Sequence, residues 1–238
     1  FVLPPCRAPA PARDLGERIQ AGDTWYDYQS NGSIGKMIVI DEDGGVHIAW
    51  MDGEGDNLAA ANRNMKYGYA IDDEFVEEDG VVINTGRRGG YGHIGLTTEE
   101  DVRGIAYYHA QDEDGVFSGM VSLDFDLGFG AFMEYPLPQY PDDNVYWPQG
   151  VMTDEGRIHI VYNRAGADML SYAGGEIDRG GDPVFSQFPE QIAPTSLNTY
   201  RIARSPVSER VAITWVSSRV GPPAPDNWAG FLAYQLNN

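Results

Sequence analysis

The chain has 238 residues, 36 of them acidic and 16 basic, and its formal net charge at pH 7 is −20. This excess of negative charge argues against nucleic acid or an anionic membrane surface as the main partner. No apolar run approaches the roughly 18 residues that a membrane-spanning helix needs, so the sequence predicts no membrane span.

The first 22 residues are rich in proline and alanine and predict an extended arm ahead of the folded domain. Such an arm is normally mobile unless something holds it. We expect it either to lie on its own domain or to grip a neighbouring copy, which would build a homo-oligomer or filament. The chain begins at Phe1, and we expect a mature, secreted product whose targeting segment has been removed. Cys6 is the only cysteine, which excludes an intrachain disulfide.

The first unit of the domain is a hairpin within residues 36–50. Its strands, KMIVI (36–40) and VHIAW (46–50), are rich in β-branched residues and flank the turn cluster DEDGG (41–45). An isolated hairpin is marginally stable in water, so the unit must be repeated or covered. The second strand recurs at 102–108, 157–163 and 210–216, with an aromatic anchor in register each time: Trp50, Tyr107, Tyr162 and Trp215.

Further strands accompany each recurrence. An inner strand precedes it, at 36–40, 93–97, 149–153 and 201–205, and a third strand follows it, at 65–71, 117–125, 169–177 and 231–236. Three units add an outer segment, at 81–85, 131–137 and 184–188. The anchors are 57, 55 and 53 residues apart, and a period of about 50 residues with four strands is typical of β-propeller blades. The sequence therefore predicts an all-β fold, a β-propeller of about four four-stranded blades over residues 23–238.

The fourth unit ends at Asn238 without an outer strand. The segment TWYDYQS (24–30) precedes the first inner strand, and we expect it to supply that missing strand and so close the ring. Two alternatives remain open at this point. The chain could be an open part of a six- or seven-bladed ring, or two chains could complete one ring.

Two stretches carry a resemblance to a known family. TWYDYQSNGSIGKMIVIDEDGGVHIAWMDG (24–53) and TDEGRIHIVYNRAG (153–166) resemble secreted bacterial propeller domains of the BNR or sialidase-like kind. The resemblance implies a β-propeller in an extracellular protein. The sialidase Asp-box, S-x-D-x-G-x-T-W, is not matched, because residues 41–50 keep an acidic, glycine-rich turn and an aromatic residue in a different order. The resemblance therefore supports the fold and says little about chemistry.

Four polar residues form the main candidate site. Alignment of the units on their anchors puts them at corresponding positions of the inner strands: Lys36, His93, Gln149 and Arg201. Three of them can carry positive charge, and lysine and arginine form charge-assisted hydrogen bonds with carboxylate or sulfate. The sequence thus predicts an anion site at the mouth of the central channel. The alternative is that these residues bridge blades through salt links or hold water in the channel.

Aromatic residues precede or join the same inner strands: Tyr91, Tyr146, Trp147 and Tyr200. Exposed aromatic rings stack on sugars, so this set predicts a lectin-like, glycan-binding surface beside the anion site. The alternative is that the rings pack between blades, and solvent exposure decides between the two.

Catalytic and metal signals are weaker. The sequence holds no Ser-His-Asp arrangement, no HExxH motif and no phosphate-binding glycine loop, and no carboxylate pair stands out at the predicted mouth. His47 and His159 occupy the same position in two units, which predicts a repeated packing role. No cofactor is expected, although calcium has candidate ligands in glycine-rich loops that do not complete an EF-hand: Asp41, Asp43, Asp52 and Asp56.

These observations favour a non-catalytic extracellular module that binds a glycan or protein partner, or that self-associates through residues 1–22. The alternative is a sialidase-like or polysaccharide-acting enzyme with its site at the channel mouth. Paired carboxylates at an open mouth would favour the enzyme, and a docked arm on a neighbouring copy would favour the assembly.

Overall fold

The computed structural model describes residues 18–26, 29, 34–55, 62–98, 101–195, 198–217 and 231–237, with only the backbone for Ser217 and for 231–237. Every helix or strand assigned in these ranges is a β-strand, which confirms the predicted all-β fold. No helix in this part of the chain could span a bilayer. Residues 1–17 of the predicted arm, and the calcium candidate Asp56, lie outside the described residues.

The strands form four separate antiparallel sheets in chain order. The first sheet runs β1 (Ile38–Ile40), β2 (Val46–Gly53), β3 (Arg63–Ile71) and β4 (Glu74–Phe75), and β5 (Val81–Val82) also pairs with β3. The second runs β6 (Arg88–Leu96), β7 (Gly104–Gln111), β8 (Phe117–Asp124) and β9 (Phe132–Pro136). The third runs β10 (Asn144–Met152), β11 (Arg157–Ala165), β12 (Met169–Ile177) and β13 (Pro183–Phe185), and β14 (Glu190–Pro194) also pairs with β12. The fourth runs β15 (Tyr200–Arg204), β16 (Val211–Ser217) and β17 (Phe231–Asn237).

The predicted second and third strands of all four units are confirmed within two or three residues at each end. The inner strands of the second and third sheets begin about five residues before the predicted start, at Arg88 and Asn144. In both strands the pairing register shifts, between Gly90 and His93 in β6 and between Tyr146 and Gln149 in β10. These β-bulges interrupt the alternation of apolar and polar residues. A prediction based on that alternation therefore misses the first half of each strand.

Consecutive sheets pack against one another through three apolar clusters. The first joins the first and second sheets, the second joins the second and third, and the third joins the third and fourth. Tyr107 and Tyr108 are both fully buried, yet Tyr107 belongs to the second cluster and Tyr108 to the first. Successive side chains of a strand point to opposite faces, so β7 is buried on both sides. Each large apolar side chain buried in this way stabilises the fold by about 1.5–3 kcal/mol.

A polar residue closes the hairpin between the inner and second strands in every sheet. Its backbone N–H donates to the carbonyl oxygen that begins the return strand, over 2.8–3.0 Å in all four cases: Asp41 to Gly45, Thr97 to Arg103, Thr153 to Arg157, and Ser205 to Arg210. Aspartate, serine and threonine favour such turns because their side chains bond to the local backbone. These four positions form a second repeat in the sequence, beside the aromatic anchors.

The prediction that segment 24–30 completes the fourth sheet is wrong for its described residues. The N–H of Trp25 donates to the Gly53 carbonyl over 3.2 Å, and the hydroxyl of Thr24 donates to the Met51 carbonyl over 2.9 Å. The Gln29 amide both donates to and accepts from the backbone of Met51. Because β1 pairs only with residues 46–48 of β2, the backbone groups of residues 51–53 need other partners, and this segment supplies them.

Candidate functional site

The inner strands of all four sheets contribute to one central cavity. Its volume is about 220 Å³, and its lining includes Lys36 from the first sheet, His93 from the second, Val151 from the third and Arg204 from the fourth. Each inner strand is the first strand of its sheet, and residues on or beside all four inner strands line this cavity. This arrangement brings residues that are more than 160 positions apart in the chain to one place.

His93 is the buried residue at the centre of the predicted cationic set. Its side chain is 6% exposed, and its Nδ1 accepts the backbone N–H of Lys36 over 3.3 Å. Burial, together with the positive charges of Lys36 and Arg201, lowers the pKa of His93 to about 3. The imidazole is therefore neutral at pH 7, and its ring lies edge-on to Tyr107 with the centroids 5.7 Å apart. Positive charge in this region comes from the lysine and the arginines.

The four aligned positions differ in exposure and in register. Lys36 and Arg201 are exposed, whereas His93 and Gln149 are buried. His93 pairs with its anchor Tyr107, but Gln149 pairs with Val161 and Arg201 with Thr214, one residue before their own anchors. The predicted equivalence is therefore wrong by one residue in the third and fourth sheets. The hairpins between the inner and second strands differ in length, since their closing pairs are Thr97–Arg103, Thr153–Arg157 and Ser205–Arg210, and anchor spacing in the sequence does not reveal this.

The predicted aromatic residues bridge each sheet to the one before it. Tyr91 of the second sheet lies 2.8 Å from the hydroxyl of Tyr26, which packs on the first sheet. The Trp147 N–H of the third sheet donates to Nδ1 of His109 in the second over 3.2 Å. Tyr200 of the fourth sheet donates its hydroxyl to the Trp147 carbonyl over 2.6 Å. These contacts match the packing alternative, while stacking on a sugar stays a prediction.

The four predicted aromatic residues differ in their solvent exposure. Tyr200 is 1% exposed, which removes it from any surface that could stack on a ligand. Tyr91, Tyr146 and Trp147 are half-buried, and Tyr146 packs on His109 and Phe117 with centroids 5.5 and 4.7 Å away. Three of the four rings therefore keep some accessible surface.

Tyr91 and Trp147 have the backbone conformation that usually selects glycine. Their φ angles are 56° and 53°, and each sits in the bulge of its inner strand. A bulky residue in this left-handed region costs of order 1–3 kcal/mol, which the surrounding contacts must hold in place. The repeat of the same strained position in two sheets directs both rings toward the preceding sheet.

Sequence reasoning missed two residues that organise this region. Arg63 is 3% exposed, its guanidinium carbon lies 4.9 Å from the ring centroids of both Tyr26 and Tyr91, and its Nε donates to the Gly89 carbonyl. His109 is 2% exposed, and burial followed by the charge of Arg63 lowers its pKa to about 3. Neither residue has a counterpart at the same position in the other units, so the repeat gives no signal for them.

Two of the calcium candidates already have protein partners. Asp41 is 8% exposed and accepts hydrogen bonds from the Gly45 N–H, from the Tyr69 hydroxyl and at His47 Nε2. Burial alone raises the pKa of Asp41, but these hydrogen bonds outweigh it and hold that pKa below its usual value. Asp52 lies 3.0 Å from the Lys66 ammonium, and Asp43 is exposed. Among the described residues, no group of three or more His, Cys, Asp or Glu side chains could hold a metal ion.

His47 and His159 occupy equivalent places, as predicted. Each Nδ1 bonds to a tyrosine hydroxyl in the next strand, Tyr67 at 2.6 Å and Tyr172 at 2.7 Å. The pKa of each imidazole is lowered, chiefly by burial. The two differ at Nε2, which faces Asp41 in the first sheet and has no hydrogen-bond partner among the described residues in the third. The hairpin-closing residue there is threonine instead of aspartate, so the acceptor is missing.

Comparison with known proteins bears on the fold. No family model matches the chain, and no curated protein matches it. Among solved structures, the chain is similar to a protein of unknown function from Dyadobacter fermentans, with a TM-score of 0.56 and 11% identity over 76% of this chain and 56% of that one. That similarity shows the fold alone.

A second solved structure gives a weaker similarity. It is the catalytic domain of a GH62 α-L-arabinofuranosidase from Coprinopsis cinerea, with a TM-score of 0.48 and 12% identity over 84% of this chain and 63% of that one. The chain thus matches less than two thirds of the length of either structure. The resemblance to BNR or sialidase-like domains stays a prediction.

Proposed function

We propose that the four sheets are the blades of a β-propeller and that the central cavity is its channel. Three observations support this arrangement. Each sheet is an antiparallel meander in chain order, consecutive sheets pack face to face through apolar clusters, and the first strands of all four sheets line one cavity. Among the described residues, none of the apolar clusters joins the fourth sheet to the first, so ring closure is part of the proposal.

We further propose that the protein is a non-catalytic, extracellular binding module whose channel takes an anionic ligand, a glycan that bears carboxylate or sulfate groups. The observation that carries this proposal is the cavity lining that brings Lys36 and Arg204 together with the buried His93, whose pKa is also lowered by the charge of Arg201. Two exposed cations at one mouth offer charge-assisted hydrogen bonds to an anion, and arginine can bind a carboxylate with two parallel bonds. Arg204 lines the same cavity and adds a third cation, which also pairs with Asp154.

The negative charge of the rest of the molecule restricts anion binding to this site. With a net charge of −20, the surface repels anions in general, and a ligand gains attraction only where cations cluster. The neutral state of His93 matters as well, because a positive charge on its buried ring would repel Lys36 and Arg201. Its neutral ring lies edge-on to the anchor Tyr107 and does not compete with the cations for the ligand.

The composition of the inner strands supports binding rather than hydrolysis. The four strands β1, β6, β10 and β15 read IVI, RGGYGHIGL, NVYWPQGVM and YRIAR, without a single aspartate or glutamate. Hydrolysis of a glycosidic bond by the common routes needs two carboxylates that face each other across the bond. The acidic residues in the described lining of this cavity are Asp41 and Glu42, and Asp41 is already hydrogen-bonded within the protein.

The proposal is tested by calorimetric titration of the protein with glucuronate, sialic acid and a sulfated monosaccharide. Removing one charge-assisted hydrogen bond costs about 1.5–3 kcal/mol, which weakens binding by about 10- to 100-fold. We expect a loss of this size in Lys36→Ala and in Arg201→Ala. Arg157→Ala is the matched control, because it removes the same charge from an exposed side chain that pairs with Glu155 outside the cavity lining. Equal binding by all four proteins would contradict the proposal.

A further inference from the structure

A second cavity lies between the third and fourth sheets, and its described lining shares no residue with that of the central cavity. Its volume is about 270 Å³. The third sheet contributes His159, Tyr172 and Ile192 to the lining, and the fourth contributes Val211 and Ile213. We call this space the inter-sheet cavity. A cavity of about 150 Å³ is enough to hold benzene, so the inter-sheet cavity has room for a six-membered ring with a substituent.

His159 is the buried polar residue of the inter-sheet cavity. Its side chain is 4% exposed, and its Nδ1 bonds to the hydroxyl of Tyr172, which lines the same cavity, at 2.7 Å. Its Nε2 is buried and has no hydrogen-bond partner among the described residues. A buried polar atom without a partner is rare in folded proteins, because nothing replaces its lost hydration. Nε2 is therefore the ring nitrogen that is left to bond to a ligand.

The equivalent histidine of the first sheet shows what this nitrogen can bond to. His47 makes the same Nδ1 bond to a tyrosine, Tyr67, and its Nε2 lies 3.2 Å from the Asp41 carboxylate. Hydrogen bonds hold the pKa of Asp41 below its usual value, so this carboxylate is ionised at pH 7 and can only accept. The neutral His47 ring therefore carries its proton on Nε2. The repeated bond to tyrosine assigns the same tautomer to His159, whose Nε2–H is then a donor without an acceptor.

Water alone is a poor occupant of the inter-sheet cavity. A water molecule takes up about 30 Å³ in the liquid, and the cavity is several times larger. A buried water also needs two to four polar partners, whereas Ile192, Val211 and Ile213 offer it none. Val211 and Ile213 are themselves buried. A molecule with an apolar body and one acceptor oxygen therefore fits the lining better than a chain of waters.

The charges around the inter-sheet cavity favour an uncharged ligand. Glu190 lines the cavity and is exposed, so it marks the side that is open to solvent, and its charge acts on Tyr172. The charge of Glu209 acts on His159. Arg157 acts on both rings with the opposite sign, but it is itself paired with an exposed carboxylate. The carboxylates disfavour an anion, so the oxygen that meets Nε2 belongs to a carbonyl or a hydroxyl group.

We propose that the inter-sheet cavity binds a small uncharged molecule that has a compact apolar body and a carbonyl or hydroxyl oxygen. The oxygen accepts the Nε2–H of His159, and the apolar body packs on Ile192, Val211 and Ile213. This site is separate from the channel, and its ligand is neutral whereas the channel ligand is anionic. The inference therefore stands or falls independently of anion binding in the channel.

Nuclear magnetic resonance of the imidazole nitrogens tests the proposal. The full chain, labelled with ¹⁵N on histidine, is titrated with cyclohexanone at pH 7.5. We expect the Nε2 signal of His159 to shift and to saturate, because its proton gains an acceptor. His47 is the internal control, since its Nε2 already faces Asp41 and its signal should stay in place. The anion cyclohexanecarboxylate should bind here at least about fivefold more weakly than cyclohexanone, because of the nearby carboxylates.

A pair of matched variants locates the binding. Ile192→Phe adds a ring to the cavity wall and leaves His159 intact, so it should weaken cyclohexanone binding at least about tenfold by steric exclusion. Val184→Phe makes a similar change on an exposed strand of the same sheet, outside the described lining, and should leave the affinity unchanged.

Four results would overturn the proposal. One is the absence of a shift at His159 with about 10 mM cyclohexanone, tenfold above a millimolar dissociation constant, which would mean that the cavity holds only water. Another is an equal shift at His47 and His159, which would indicate a general solvent effect. The third is equal affinity in Ile192→Phe and Val184→Phe. Tighter binding of cyclohexanecarboxylate than of cyclohexanone at His159 would contradict the uncharged ligand.

Discussion

Replacement of His93 by asparagine should flatten the dependence of stability on pH. The His93 side chain is buried, its Nδ1 accepts the Lys36 N–H, and its pKa is lowered to about 3. The unfolded chain binds a proton on this residue near pH 6.5, whereas the folded chain binds it only near pH 3. The contribution of His93 to stability is therefore complete above pH 6.5 and is lost as the pH falls toward 3. Asparagine keeps an acceptor for the Lys36 N–H and removes the titration.

The size of the effect follows from proton linkage. Between pH 8 and pH 5, a histidine that titrates near 6.5 when unfolded and near 3 when folded destabilises the fold by about 2 kcal/mol. His109 has the same lowered pKa and accepts the Trp147 N–H, so it contributes a second loss of about 2 kcal/mol. Asp124 acts in the opposite direction, since its pKa is raised to about 6 by burial and its protonation relieves a cost as the pH falls. This opposing effect is the same in the wild type and in the variants, and it cancels in the comparison.

The assay is urea unfolding followed by tryptophan fluorescence at pH 8, 7, 6 and 5. We expect the wild type to lose more stability between pH 8 and pH 5 than His93→Asn does, by about 2 kcal/mol, with a similar difference for His109→Asn. His159→Asn should change the pH dependence in the same direction, because burial lowers the pKa of His159 as well. Parallel pH profiles for the wild type and His93→Asn would refute the neutral, buried imidazole.

Three further predictions concern the fold and its metal content. Gly150→Ala should destabilise the domain by about 1–3 kcal/mol, because a Cβ there would overlap the ring of Tyr107. Gly95→Ala on the adjacent inner strand should be tolerated, because its Cβ would meet its nearest neighbour at 3.5 Å. Thermal unfolding of the two variants tests this difference. Asp41→Ala should lower the unfolding free energy by about 2–3 kcal/mol, because its buried hydrogen bonds are lost. Asp43→Ala, at an exposed position, should change the unfolding free energy by less than about 0.5 kcal/mol. EDTA should leave the melting temperature unchanged, because two candidate carboxylates are already bonded within the protein, and a drop on chelation would restore the calcium hypothesis.

Much of the strand order could be predicted from the sequence because the signal is local. The second and third strands are rich in β-branched and aromatic residues and recur at nearly constant spacing, so their positions were predicted within a few residues. The first halves of β6 and β10 were missed, since a bulge at Tyr91 and another at Trp147 interrupt the alternation. The role of segment 24–30 was mistaken, because its described residues bond to the first sheet and not to the fourth. The choice between these two sheet edges depends on distance in space, and the sequence pattern carries no information on that distance.

The candidate site was predictable in part. Anchor alignment selected Lys36, His93 and Arg201, and the Lys36 N–H bonds to the His93 imidazole in the folded chain. The same alignment gave no information on exposure, and Tyr200 proved buried. Arg63 has no counterpart in the repeat, so only the folded structure shows it between two tyrosine rings.

The sequence by itself determined that this protein is built from four similar antiparallel sheets, because hydrophobic alternation and turn residues act over a few positions and repeat along the chain. Tertiary structure decided which face of each inner strand is accessible, how bulges shift the register, and which edge receives the segment before β1. Those outcomes depend on packing between sheets, where one added residue reverses the direction of every following side chain. They also depend on burial, which holds His93 neutral and leaves Phe125 and Phe129 exposed.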